Sequence, residues 1–211
     1  MIEAFSWATA HLHGRAFAAQ HELRHRLFVE RNGWDVPSYD GMEYDQFDTP
    51  AATYLTWLDA DHVVRGVSRL IPTTRPYMIK ELWPHLASDH PCTPKVWEAT
   101  RFGIDHAVDA ATRRRIAAEI VLACQEFGIA HGVERYYVLM PTLIIRRVIA
   151  AVGCRYRFLG PIADFGGYNV AAASVEVSPA DLRRIRDQVG ISSPVLMTEP
   201  IHAEIGIAEA A

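Results

Sequence analysis

Residues 52–72 read ATYLTWLDADHVVRGVSRLIP. Two runs rich in β-branched and aromatic residues, ATYLTWLD and VVRGVSRLIP, flank the short polar ADH, a pattern that predicts an antiparallel hairpin. A third strand is expected at VWEATRFGI (96–104), after a proline-rich connection. Downstream the period changes. AATRRRIAAEIVLACQEFGIAH, residues 110–131, predicts a long amphipathic helix, and ERYYVLM a short buried strand. The alternation continues with a helix in TLIIRRVIAAVG, strands in RYRFLG and YNVAAASVEV, and a last helix opened by Ser178-Pro179 with Asp181 in its first turn. Upstream, Leu12, Ala16, Leu23 and Leu27 share one stripe of a helix over about residues 10–30, which turns His21 and His25 to the opposite, solvated side. Strands that cluster early and alternate with helices later predict an α/β protein: a three-layer α/β/α sandwich around a mixed, twisted sheet.

The chain has 211 residues, half of them apolar and 22% charged, as in an ordinary globular protein. No linker or repeat divides it, so one domain over 1–211 is expected, with a flexible tail after about residue 190, where the periodicity fades. A net charge of −4 argues against a general affinity for nucleic acid or anionic membrane. Cys92, Cys124 and Cys154 are far apart and form no C-x-x-C pair, which argues against a disulfide framework and fits a reducing cytosol. The N-terminal residues lack a basic segment followed by an apolar run, and no stretch approaches the roughly 18 apolar residues of a membrane span. A cytoplasmic protein is expected.

His21 to His25 read HELRH, which matches the H-E-x-x-H of zinc metalloproteases. No third ligand follows at the spacing of that class, and five residues match by chance often enough that a solvated histidine pair and no bound metal are expected.

The segment RNGWDVPSYDGMEYDQFDTP (31–50) is dense in Gly, Pro, Asp and Asn and reads as a long loop of the kind that carries function. Around it stand six charged residues in an ordered spacing: Arg24, Asp45, Asp48, Arg69, Glu98 and Arg101. They lie in the blocks RHRLFVERNGWDV, EYDQFD, GVSRLIPT and WEATRFGI. These blocks, in this order, resemble the acyl-homoserine lactone synthases, the autoinducer synthase family. The resemblance has motif quality from about residue 20 to 105 and continues loosely to about 175, and it includes Phe28 and Trp34. Within it, Arg24 is a family residue and the flanking histidines are incidental. The order of elements is also that of GCN5-related acyltransferases, whose phosphate-cradling loop R/Q-x-x-G-x-G/A is half present: Arg113 and Ala118 fit, while Ile116 replaces the glycine.

The resemblance implies two substrates, S-adenosylmethionine and an acyl thioester of acyl carrier protein or coenzyme A, and no bound cofactor. The methionyl amine attacks the thioester to give an amide. The methionyl carboxylate then displaces methylthioadenosine and closes the lactone. An amine attacks only when neutral, so a base is required, and Glu98 at the mouth of a cleft is the candidate. The competing reading of Glu98 is an edge-strand residue in a salt bridge with Arg101. A regular strand would send the two to opposite faces, so a β-bulge between them is expected. Asp45 and Asp48 are expected to pair with Arg24 and Arg69 or to meet the substrate ammonium, and either arginine could hold the substrate carboxylate. Phe28 and Trp34 offer aromatic faces to the sulfonium. Phe102, Leu122, Val138, Met140, Thr142, Leu143 and Ile144 are candidates for an acyl slot, threonine at 142 matching family members that prefer 3-oxo-acyl chains. Arg113, Arg114, Arg115, Arg146, Arg147, Arg155 and Arg157 offer a basic face to an acidic carrier protein or to phosphates. An N-acyltransferase with another amine acceptor and a non-catalytic module that binds an acyl carrier or S-adenosylmethionine are the alternatives.

Overall fold

The structure is a computed structural model that describes residues 1–197. Its elements in chain order begin with strand β1 (Ile2–Ser6) and helix α1 (Ala16–Arg24), which widens into a π-helical stretch over His25–Arg31. A two-stranded ribbon, β2 (Ser38–Tyr39) and β3 (Met42–Glu43), precedes β4 (Thr53–Leu58) and β5 (Val64–Pro72). Next come the one-turn helix α2 (Met78–Leu82), β6 (Val96–Ile104), α3 (Ala110–Ala130) and β7 (Arg135–Pro141). The second half holds α4 (Thr142–Ile144), continued by a π-helical turn over Ile145–Ala150, then β8 (Tyr156–Phe158), β9 (Ala163–Phe165), β10 (Tyr168–Glu176) and α5 (Pro179–Val189).

Eight strands form one mixed sheet in the order β1-β4-β5-β6-β7-β10-β8, with β9 also on β10. Every pairing in it is antiparallel except β6 with β7. The hairpin expected at 52–72 is β4–β5, and Asp59 closes its turn by accepting the amides of Asp61 and Val63, each at 2.9 Å. Side-chain alternation sorts the core onto both faces. Leu55, Trp57 and Leu70 pack under α3, whereas Tyr54, Val67 and Ile71 pack under α1. The result is the expected three-layer sandwich. Gly66 lets α3 approach the sheet: a Cβ there would lie 2.6 Å from Ile116 Cγ2 and 2.7 Å from Ile120 Cδ1. Asp109 caps α3 at the amides of Ala111 and Thr112, and Ser178 caps α5 at the amide of Asp181.

Two features position the site. The parallel pairing of β6 with β7 covers only Val96–Glu98 against Arg135–Tyr137, and beyond Glu98 the strands part. On the other side of β6, Val67 pairs with Gly103 and Arg69 with Thr100, so Arg101 and Phe102 together oppose Ser68. This is the expected bulge, and its extra residue is Arg101 itself, in the left-handed conformation at φ 51°.

Three expectations change. Helix α1 starts at Ala16, and Leu12 is exposed in a short 3-10 turn before it. His21 is buried rather than solvated, because the loop after α1 folds back over the helix and covers the face a two-sided pattern would leave to water. Part of the stretch expected to be flexible is tied down: the Glu126 carboxylate accepts the amides of Val195 and Leu196, and Met197 donates to the Ile2 carbonyl at 2.8 Å. Residues 198–211 of that stretch lie outside the described residues.

Gly66→Ala is expected to lower the free energy of unfolding by about 1–3 kcal/mol through overpacking against α3, read from urea denaturation.

Candidate active site

The loop from 36 to 48 is pulled onto the sheet by charge. Arg24 donates both terminal nitrogens to Asp48 at 2.8 Å and its Nε to Glu43 at 2.5 Å. Arg69 grips Asp45 with two bonds of 2.6 and 2.9 Å, and its Nη1 lies 2.9 Å from Asp48. Arg101 reaches Glu43 at 2.9 Å and Asp45 at 2.6 Å. Three guanidinium groups and three carboxylates thus interleave, with Arg24, Arg69 and Glu43 fully buried. The formal charges cancel. Tyr54 adds a hydroxyl to Asp48, and Thr100 accepts the Arg69 Nε.

Burial alone would raise the pKa of Asp48, yet the bonds from Arg24 and the charge of Arg69 outweigh it and hold the carboxyl well below its usual range. Asp45 is shifted in the same direction, with Arg69 and Arg101 overcoming burial. Exposure divides the cluster by task. Asp48 is nearly sealed, while Asp45 and Arg101 keep an opening to the cleft, at 9% and 6% side-chain exposure. Among the described residues, the Arg101 Nη1 has the Met78 thioether, at 3.4 Å, as its hydrogen-bond partner. The bidentate faces of Arg24 and Arg69 are already filled, so neither offers the free fork that a substrate carboxylate needs.

Glu98 is fully buried on the central strand β6, not on an edge, and it does not pair with Arg101. Its Oε2 accepts the amide of Met78 at 2.9 Å and its Oε1 the amide of Ile79 at 2.8 Å. Burial pushes its carboxyl up to about 7, against the pull of those two amides. The Met78 thioether also lies 3.5 Å from the Arg69 Nη2, so one residue links Glu98 to the charged cluster.

Phe28 and Trp34 stack with centroids 4.9 Å apart, and the Arg101 guanidinium sits 5.7 Å from the Phe28 ring. Phe28 is thereby enclosed, and the half-exposed Trp34 presents the outer face. Where β6 and β7 part, a small apolar cavity opens beneath α3, lined by Ala99, Phe102, Cys124, Val138, Met140 and Ile149. Leu122 is buried in the core, Leu143 faces solvent, and neither Thr142 nor Ile144 lines the cavity.

The basic residues scatter. Arg113 donates to the carbonyl of Val108, Arg115 pairs with Glu119 at 2.6 Å, and Arg155 pairs with Asp181 at 2.8 Å. Arg146, Arg147 and Arg157 are exposed. The HELRH histidines also go separate ways: His21 bonds the Glu43 carbonyl at 2.8 Å, and His25 faces Glu30 at 3.2 Å. Burial, then the Arg24 charge, push His21 down to about 4, so it stays neutral. Among the described residues, no group of three or more His, Cys, Asp or Glu side chains could hold a metal ion.

The family profile described as autoinducer synthase matches residues 10–185. The chain belongs to that family, the acyl-homoserine lactone synthases. It is 33% identical over 204 residues to the isovaleryl-homoserine lactone synthase of Bradyrhizobium diazoefficiens, covering 95% of this chain and 90% of the relative. With the acyl-homoserine-lactone synthase of Acinetobacter nosocomialis it shares 31% over 162 residues, 73% of this chain and 88% of the relative. Its fold matches the structure of a CoA-dependent acyl-homoserine lactone synthase bound to MTA with a TM-score of 0.84 at 30% identity, covering 94% and 93% of the two chains. An N-acyl amino acid synthase from uncultured soil microbes shares the GCN5-related fold alone, with a TM-score of 0.55 at 15% identity over 89% and 96% of the chains.

All six charged residues singled out in this synthase converge. The residue missed is Glu43, which bridges Arg24 and Arg101. The six residues already balance in charge with Glu98 counted, so the signal for Glu43 is its place alone: it opens the same EYDQFD block as Asp45 and Asp48.

Asp48→Ala is expected to cost about 3–5 kcal/mol, because it strands Arg24 without its bidentate partner in the interior. Depressed carboxylate pKa values stabilise the fold above the unfolded value of about 4 and lose that contribution as pH falls through the folded values. Urea denaturation repeated down the acid range should therefore show wild-type stability falling below about pH 4, with a shallower fall in Asp48→Ala.

Proposed function

We propose that the synthase acylates the amine of S-adenosylmethionine with a coenzyme A thioester and then closes the lactone, with Glu98 as the base. The observation that carries this reading is a buried carboxylate with a pKa of about 7 at the point where β6 and β7 part, beside a charged cluster that opens to the cleft through Asp45 and Arg101. An α-amino group is largely protonated near neutrality, and a base of matched pKa removes that proton and frees the lone pair that attacks. Glu98 takes one proton of the ammonium, the freed nitrogen bonds the carbonyl carbon, the carbon–sulfur bond of the thioester breaks, and the thiol leaves with the second proton that the nitrogen sheds. The substrate carboxylate then attacks the γ-carbon, and the carbon–sulfur bond to the sulfonium breaks to release methylthioadenosine. The second step needs no base, since its nucleophile is already an anion.

Asp45 is assigned to the substrate ammonium and the spare Nη1 of Arg101 to its carboxylate, with the face of Trp34 toward the sulfonium. Phe102 and Met140, with Val138, receive the acyl group, and the small size of their cavity favours a short or branched chain. The donor assignment is supported by the described CoA dependence of the solved relative. A second structure of such an enzyme, with a TM-score of 0.83 at 30% identity, holds SAM and isopentyl-CoA. The amides of Ala111 and Thr112 at the start of α3 are filled by Asp109, so the donor phosphates are assigned instead to the exposed Arg146, Arg147 and Arg157. An acyl carrier protein would meet the same basic face. Among the described residues no helix is long and apolar enough to cross a membrane, and we place the enzyme in the cytoplasm with its substrates.

Release of methylthioadenosine should depend on both S-adenosylmethionine and an acyl-CoA, and should fall about 100-fold or more in Glu98→Gln while S-adenosylmethionine still binds by calorimetry. Amide formation with a simple amine and no methylthioadenosine would support the N-acyltransferase instead. The kcat/KM of the wild type should fall below an apparent pKa of about 7 as Glu98 takes up its proton.

A further inference from the structure

A fully buried base needs a route for its proton, and Glu98 has no direct contact with solvent. Tyr77 stands next to it. This residue immediately precedes Met78 and Ile79, whose amides hold the two Glu98 oxygens. It is fully buried, and its hydroxyl has no hydrogen-bond partner among the described residues. A buried hydroxyl left unpaired is costly, so such a group marks a place for a small polar molecule. Tyr77 and Tyr137 belong to one buried cluster, and the charges of Glu98 on β6 and of Asp89 and Cys92 in the connection between α2 and β6 bear on the Tyr77 hydroxyl.

Tyr137 continues the line. It is the register partner of Glu98 in the last pair before β6 and β7 part. Its Oη lies 2.9 Å from each oxygen of Asp89, and Asp89 is exposed. Burial and these neighbours push both hydroxyls above their ordinary pKa, Tyr137 to about 12, so each keeps its hydrogen at neutral pH.

We propose that Tyr77 is a positioning residue that holds water against Glu98 and, with Tyr137 and Asp89, passes the proton of the acyl-transfer step to solvent. The inference rests on the reading of Glu98 as the base. The proton on Glu98 moves to the bridging water, which gives one of its own to the Tyr77 oxygen. The Tyr77 hydroxyl hydrogen moves through a second water to the Tyr137 oxygen, and the Tyr137 hydrogen moves to the Asp89 carboxylate. Asp89 releases it, rotation of the hydroxyls restores the chain, and Glu98 is again an anion.

Tyr77→Phe removes only the unpaired hydroxyl and is expected to keep the fold, with an unfolding midpoint at or above the wild type. Its kcat for thiol and methylthioadenosine release should fall about tenfold, with KM for both substrates unchanged within about twofold. The solvent deuterium isotope effect on kcat should rise, because proton release becomes limiting. Tyr137→Phe should reproduce the loss, and the double variant should be no worse than either single one. A kcat within about twofold of wild type across about pH 6–9 in Tyr77→Phe would overturn the relay, as would a raised KM at unchanged kcat, which would make the hydroxyl a substrate contact. Glu98→Gln separates the two readings: if it retains activity, the base assignment itself fails, whereas its loss beside an unaffected Tyr77→Phe removes the relay alone.

Discussion

Three guanidinium groups interleaved with three carboxylates, all but Asp45 and Arg101 shut off from the cleft, are the constraint on which the rest of the site depends. A lone charge in such a place would be prohibitive, and each of these is tolerable only because its partners are delivered by other elements. Arg24 comes from α1, Arg69 from β5, Arg101 from the bulge in β6, and the acids from the end of β3 and the loop that follows it. The cluster therefore fixes the loop from Glu43 to Asp48 on the sheet. That same loop covers α1, which explains why His21 lies in the interior although the helix pattern turns it toward water.

The bulge and the parting of β6 from β7 act together. Without the extra residue, Arg101 would point toward α3 and away from the acids. With it, Thr100 and Arg101 both serve the charged side, Phe102 returns to the apolar side, and one strand supplies the buried Glu98, the Arg101 cation and the cavity wall. The gap beyond Glu98 opens the sheet there. A polar chemistry on one face and an apolar cavity on the other thus meet at a single break in the hydrogen-bond ladder.

Helix α2 is five residues long, yet its first amides hold the Glu98 carboxylate, and its Met78 touches two of the arginines. Opposing effects set the Glu98 pKa: burial raises it, and the two amides, with the Arg69 charge, restrain the rise. Burial wins, which leaves a carboxylate near neutrality in its proton affinity rather than a permanently charged structural acid like Asp48.

The sequence by itself determined the layers, because hairpin, helix and strand patterns are local and their periods survive in any context. The hairpin at 52–72, the helix from 110 and the cap at Ser178 are all legible in this way. The charged residues of the site were also visible, since their spacing matches that of a family. What only the tertiary structure decided is who pairs with whom: the part played by Glu43, the burial of His21, the occupied forks of Arg24 and Arg69, the role of α2 and the separation of Thr142 from the cavity. Each depends on segments far apart in the chain meeting in a low-dielectric interior, where the balance between desolvation and pairing is set by geometry that no local pattern encodes.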